Sequence, residues 1–159
     1  MPRLTRCCAR AALLYLLLGF ALGGVLLAVK GGAVDPRAWL WLPAHVDALI
    51  AGWMLQLAMA MTFWILPGRH SHGQVHQALA WSAAVLLNAG LLIAVVPSLL
   101  RFWLPGPGWL EQAFPLGLTL QLAALLLFAT VAWRRVAPPG RRPGSKPIID
   151  PTLVKQKIP

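Results

Sequence analysis

Apolar residues occupy four long stretches of the chain, and short segments rich in glycine, proline or charge separate them. The apolar stretches cover residues 11–29, 42–66, 77–96 and 114–133. Each is long enough for a helix that crosses about 30 Å of hydrocarbon. Inside lipid the backbone must satisfy its own hydrogen bonds, which favours helices. We therefore predict an all-α fold, an integral membrane four-helix bundle.

The connecting segments have the composition of a membrane surface. The first, KGGAVDPRAWLW, contains paired glycines and Pro36, which break helices, and tryptophans, which favour headgroup depth. The segment RFWLPGPGWLEQ repeats this composition, whereas GRHSHGQVH is a short polar loop. Residues 1–10 are predicted to form a basic N-terminus. Residues 134–159 are rich in proline, glycine and basic residues without periodicity, which predicts a disordered tail.

The overall composition excludes a soluble globular domain. Hydrophobic residues make up 58% of the 159 residues and charged residues only 11%, with a mean hydropathy of +0.69. A soluble domain carries about 25% charged residues. The core is therefore expected to come from helix–helix packing in lipid rather than from burial away from water.

The net charge of +10 is divided unevenly between the two ends of the predicted bundle. Only Lys30, Arg37 and Arg101 fall at one end, which is the positive-inside pattern. We predict a multi-pass protein of the bacterial inner (plasma) membrane with both termini cytoplasmic. The lipid bilayer is the expected partner, and nucleic acid is not, because no basic motif is interleaved with aromatic residues. The basic residues of the predicted cytoplasmic end are Arg3, Arg6, Arg10, Arg69, Arg134, Arg135, Arg141, Arg142, Lys146, Lys155 and Lys157.

His45 is the most unusual residue of the second apolar stretch, because polar side chains in hydrocarbon are costly. It lies about 5 Å inside the outer end of that stretch. Beside it, Ala48 and Gly52 leave room for a close neighbour, either a helix or a flat ring. His45 is either a ligand or an interfacial histidine that reaches headgroups and water. The residues that share its stripe, at about 100° per residue, are Ala48, Gly52, Gln56, Met59 and Phe63.

Asp47 lies about 200° around the helix from His45, so the two cannot share one small site. We expect Asp47 to pair with Arg37 or Arg101, since all three lie near the same membrane face. The amides within the apolar stretches are expected to form interhelical hydrogen bonds worth about 1 kcal/mol each. These amides are Gln56, Asn88 and Gln121.

His70, His72 and His76 form a second group of imidazoles, in the loop at the opposite end. Three imidazoles can hold zinc or copper, but the spacing is not a specific signature. The alternative is a solvated loop whose charge varies with pH. His45 and His76 lie at opposite ends of helices about 30 Å long, whereas two axial ligands of one iron lie about 4 Å apart. Within one chain they cannot ligate the same haem.

Three stretches resemble subunit I of the haem–copper oxidases. They are RAALLYLLLGFALGGVLLAV, AHVDALIAGW…FWILPGR and HQALAWSAAVLLNAGLL, within residues 10–93. The similarity is closest to the nitric-oxide-reductase-like and C-type oxidase branch, and within it to short four-helix stand-alone relatives. The resemblance implies that His45 ligates haem b, with the edge of the macrocycle on Ala48 and Gly52.

The departures from that pattern determine what function the resemblance implies. Asp47 stands where a second histidine is common, and the later helices with the copper-binding histidines have no counterpart among these 159 residues. We therefore expect no enzyme, but a non-catalytic protein for electron transfer or accessory work in respiration or nitrogen-oxide metabolism. It would act as a homodimer or as a respiratory-complex subunit. The alternatives are a cofactor-free structural or assembly subunit, and a metal-handling protein that uses His70, His72 and His76.

Overall fold

The structure is a computed structural model built from the sequence. It describes the backbone of residues 3–65, 74–104 and 108–136, and the side chains of all of these except 74–76 and 134–136. These residues form helices and contain no strand. This part of the chain confirms the predicted all-α class, and four of its helices are long and apolar enough to cross a membrane.

The first helix covers Arg3–Lys30, the third covers Gln74–Leu100 and the fourth covers Trp109–Val136. All three extend beyond the predicted apolar stretches. Hydropathy identifies only the apolar part of each helix, whereas the helical hydrogen bonding of the backbone continues into the flanking polar residues. The segment predicted as a separate basic N-terminus is therefore helical from Arg3 onward. The predicted disordered tail begins within the fourth helix, and residues 137–159 lie outside the described part of the chain.

The second helix spans residues 42–65 without a break but changes its geometry twice. It begins as an α-helix over Leu42–Asp47, continues as a π-helix over Ala48–Leu55 and returns to α-helix over Gln56–Ile65. A 3-10 helix over Pro36–Trp41 precedes it. In a π-helix each hydrogen bond reaches one residue farther than in an α-helix, and such segments occur frequently at functional sites.

The connector between the first and second helices has its own local stabilisation. Gly32 has a φ of +74°, a left-handed conformation that glycine adopts without steric cost. Asp35 then caps the 3-10 helix, because its Oδ1 accepts a hydrogen bond of 2.8 Å from the backbone N–H of Arg37. Pro36 suits the position after the cap, where its missing N–H costs nothing. The predicted helix break at KGGAVDP is confirmed.

The helices pack as two hairpins, the first with the second and the third with the fourth. One apolar core joins Leu4, Phe63 and Val131, which brings the start of the first helix and the end of the fourth to the same end of the bundle. We call this the basic end, since Arg3, Arg6 and Arg10 lie exposed there. The other end, at Lys30, is called the Lys30 end. A smaller core of Leu22, Ala44 and Val95 lies towards it.

Side chains from the connectors hold the Lys30 end together. The indole Nε1 of Trp41 donates a hydrogen bond of 3.2 Å to the carbonyl of Leu99, and the Arg37 guanidinium donates one of 3.3 Å to the carbonyl of Phe102. Arg101 forms an ion pair of 3.2 Å with Glu111. These contacts lie where the sequence predicts an interfacial belt, and they fix the entry of the second helix against the exit of the third.

Candidate functional site

The second helix presents a broad buried surface because of its π-helical segment. Ala44, Ala48, Gly52 and Gln56 are all buried and recur every four residues. In a regular α-helix four residues turn through about 400°, so such a row drifts around the axis. The wider turn of the π-helix reduces this drift and keeps the row on one side. Periodicity at 100° per residue could not reveal this segment.

His45 is half-buried at the contact between the first and second helices. Its Nδ1 lies 2.8 Å from the carbonyl oxygen of Gly19. A carbonyl oxygen only accepts, so Nδ1 is the donor, and the tautomer with its proton on Nδ1 has its lone pair on Nε2. Metal-ligating histidines use this arrangement, in which one ring nitrogen is held by a backbone carbonyl and the other is left for the metal.

Glycines of the first helix allow that helix to approach His45 so closely. A methyl group added at Gly23 would lie 2.8 Å from Cε1 of His45, and one added at Gly19 would overlap the side chain of Leu49. At Gly24 an added methyl group would meet nothing within 4 Å. Gly19 and Gly23 are therefore packing positions of the small-residue type that membrane helices use, and Gly24 is not.

Gly52 faces the first helix and Ala48 is fully buried, so neither residue lies on an open surface. Ala48 has no exposed area, and a methyl group added at Gly52 would lie 2.5 Å from Cγ of Tyr15. The predicted close neighbour of this face is therefore a helix in the structure. With Tyr15 packed on Gly52, the face offers no open surface for the edge of a macrocycle.

Asp47 is buried on the opposite side of the second helix, with 7% of its surface exposed. Its Oδ2 accepts a hydrogen bond of 2.8 Å from the Nε2 of Gln121 in the fourth helix. The predicted pairing of Asp47 with Arg37 or Arg101 is wrong. Both arginines belong to the connectors and bond there, whereas Asp47 points into the bundle. The prediction that His45 and Asp47 occupy separate sites is confirmed.

The predicted interhelical role of the membrane amides is confirmed only for Gln121. Asn88 donates from Nδ2 to the carbonyl of Ala84, four residues earlier in its own helix, at 2.8 Å. Gln56 is 1% exposed, and its Oε1 has no hydrogen-bond partner among the described residues. Sequence alone could not separate these three cases, because the depth of an amide does not determine which helix it faces.

The second group of histidines lies largely outside the described side chains. His70 and His72 lie outside the described residues, and His76 belongs to the third helix with its side chain undescribed. Within the described part of the chain, no three residues of the types His, Cys, Asp and Glu are close enough to hold a metal ion. The weak metal site at His70, His72 and His76 stays a prediction.

Comparison with known proteins identifies no relative of this chain. No family model matches the chain, and no similar curated protein or solved structure was found. The likeness to haem–copper oxidase subunit I therefore stays a prediction, and His45, Asp47 and Gln121 must be interpreted from their own contacts.

Proposed function

We propose that this protein is a small, non-catalytic membrane protein that holds haem b through Nε2 of His45. Its role would be electron transfer, or accessory work in respiration or nitrogen-oxide metabolism. The observation that supports the proposal is the hydrogen bond of 2.8 Å between Nδ1 of His45 and the carbonyl of Gly19. That bond orients the ring and leaves one ring nitrogen able to bind a metal.

His45 and its neighbours would supply half of such a site. Haem supplies one-electron redox chemistry when bound, and the axial imidazole is one determinant of its potential. The Gly19 carbonyl would fix the tautomer and raise the basicity of the ring. Gly23 has no side chain and therefore leaves room for the ring. Among the described side chains His45 is the only imidazole, so a second axial imidazole would come from another copy or another subunit.

The packing limits where a macrocycle could lie. Since Tyr15 covers Gly52 and Ala48 is fully buried, the fit fails on the Ala48–Gly52 face. His45 itself is only half-buried, so part of its surface remains accessible. The proposal therefore keeps His45 as the ligand and drops Ala48 and Gly52 as the surface for the haem edge.

The same packing favours a second candidate function, a cofactor-free structural or assembly subunit of a membrane complex. In this case His45 serves only to join the first and second helices through Gly19, as Gln121 and Asp47 join the second and fourth. The observation that supports it is the ring of Tyr15 on Gly52, which fills the surface that haem was predicted to use.

The orientation of the chain in the membrane is part of the same proposal. Arg3, Arg6 and Arg10 are exposed at the basic end. The fourth helix also ends there, and residues 134–159 contain further lysines and arginines. The positive-inside rule places such an end in the cytoplasm. We propose a bacterial inner membrane location with His45 near the outer face.

The haem proposal predicts a Soret band from protein purified out of haem-replete cells. We expect His45→Ala to abolish the band while the helical circular dichroism is retained. Gly23→Ala, which crowds Cε1 of the ring, is expected to weaken haem affinity about tenfold. The matched control is His76→Ala, which removes a histidine from the opposite end of the bundle and should leave the band unchanged.

The outcomes separate the two candidate functions. Colourless wild-type protein, or an undiminished band in His45→Ala, would reject haem binding by His45. Colourless protein whose thermal unfolding temperature falls on His45→Ala would support the structural role, because the variant loses the bond to Gly19 and the packing of the ring beside Gly23.

A further inference from the structure

A groove between the second and fourth helices is a feature of the described surface that the proposed function does not use. It encloses about 560 Å³, and its walls are almost entirely apolar. Val46, Ile50, Leu118 and Leu122 line it, and all four side chains are exposed. The volume falls within the range of about 300–1,000 Å³ that small-molecule sites occupy. In a membrane this groove opens towards the lipid.

Asp47 and Gln121 are the two polar residues that line the groove. Both are more than nine-tenths buried, at 7% exposed each. The amide of Gln121 donates a hydrogen bond of 2.8 Å to Oδ2 of Asp47 and so holds the carboxyl group in place. Oδ1 accepts no hydrogen bond from any described residue. One carboxylate oxygen is thus positioned and the other is left for a partner.

The described residues offer Asp47 no cation. Arg101 is paired with Glu111 at 3.2 Å, and Arg37 donates to the carbonyl of Phe102. A carboxylate at membrane depth is costly without a partner and therefore suggests a functional site. A molecule that fills the groove would contact apolar side chains on most sides and the carboxyl group of Asp47 on one.

We propose that this groove binds a hydrophobic cation, with its apolar groups against Ile50 and Leu118 and its positive charge at Oδ1 of Asp47. Charge complementarity selects this occupant over a lipid acyl chain, which would leave the carboxylate unpaired. An anionic headgroup would be repelled. The site is independent of His45, which lies on the other side of the second helix and bonds to Gly19.

Binding of tetraphenylphosphonium to the purified full chain in detergent tests the proposal, measured by equilibrium dialysis. We expect saturable binding, weakened about tenfold or more in Asp47→Asn. Glu111→Gln is the matched control, since it removes an exposed carboxylate at the same end, and it should bind as the wild type does. Tetraphenylborate, which has the same shape and the opposite charge, should not bind.

A second variant keeps the test decisive if Asp47→Asn does not fold. Leu118→Trp fills the groove from its exposed wall and leaves Asp47 and Gln121 in place, so it should also weaken tetraphenylphosphonium binding. Equal affinity of wild type and Asp47→Asn, equal binding of the two ions, or no saturable binding by the wild type would each overturn the proposal. Equal binding of both ions would indicate a merely apolar groove that lipid chains fill.

Discussion

Replacing Gly117 by alanine will lower the free energy of unfolding by about 1–3 kcal/mol, the usual cost of forcing an added group into a packed contact. The third and fourth helices touch here through their backbones. A methyl group added at Gly117 would lie 2.6 Å from the carbonyl oxygen of Gly90 and 2.7 Å from the Cβ of Ala94. None of these atoms belongs to a flexible side chain, so the helices themselves must separate. Reversible unfolding in mixed detergent micelles would measure the loss.

Gly24→Ala is the matched control for this prediction. It makes the same chemical change at an exposed position where an added methyl group meets nothing within 4 Å. Alanine is also the better helix former, so stability should stay equal or rise slightly. If both variants unfolded at the same denaturant concentration, the close approach of Gly90 and Gly117 would not be a feature of the folded protein.

Replacing Gln121 by leucine will destabilise the protein by about 1–3 kcal/mol, because it leaves Asp47 buried without its donor. The Asp47→Leu/Gln121→Leu double variant should be more stable than Gln121→Leu alone. Removing both partners also removes the polar group that would otherwise stay unpaired. A double-mutant cycle, completed with Asp47→Leu, measures the coupling between the two side chains.

Asn88→Leu provides the comparison for that cycle. Asn88 is also a membrane amide, but it bonds only to the carbonyl of Ala84 in its own helix. Its replacement leaves that carbonyl in its ordinary helical bonding and should cost less than Gln121→Leu. Additive effects of Asp47→Leu and Gln121→Leu would show that the bond of 2.8 Å contributes nothing to stability.

Which side of the second helix is buried could be predicted from the sequence in most respects. The stripe through Ala48, Met59 and Phe63 was expected to lie on one face, and these residues are 0%, 1% and 4% exposed. The pattern succeeds because helical geometry returns side chains to the same side every three or four residues, whatever they contact. It does not show that Asp47 is buried as well, because the stripe does not mark the side of the second helix that meets Gln121.

The partner of each polar residue was less predictable. Gly19 lies 26 residues from His45, and Gln121 lies 74 residues from Asp47, so no local pattern links them. The expected pairing of Asp47 with an arginine relied on depth and charge. Which neighbouring helix a side chain meets depends instead on its rotation about the helix axis and on the order in which the helices pack.

The sequence by itself determined the all-α class of this protein and the number of helices that are long and apolar enough to cross a membrane. These properties follow from run length and hydropathy, which are local, and from the requirement that a backbone in lipid satisfy its own hydrogen bonds. Only the tertiary structure decided that His45 bonds to Gly19, that Tyr15 covers Gly52 and that Asp47 meets Gln121 beside a groove. Lipid-facing and helix-facing surfaces are equally apolar, so close packing and interhelical hydrogen bonds choose between them.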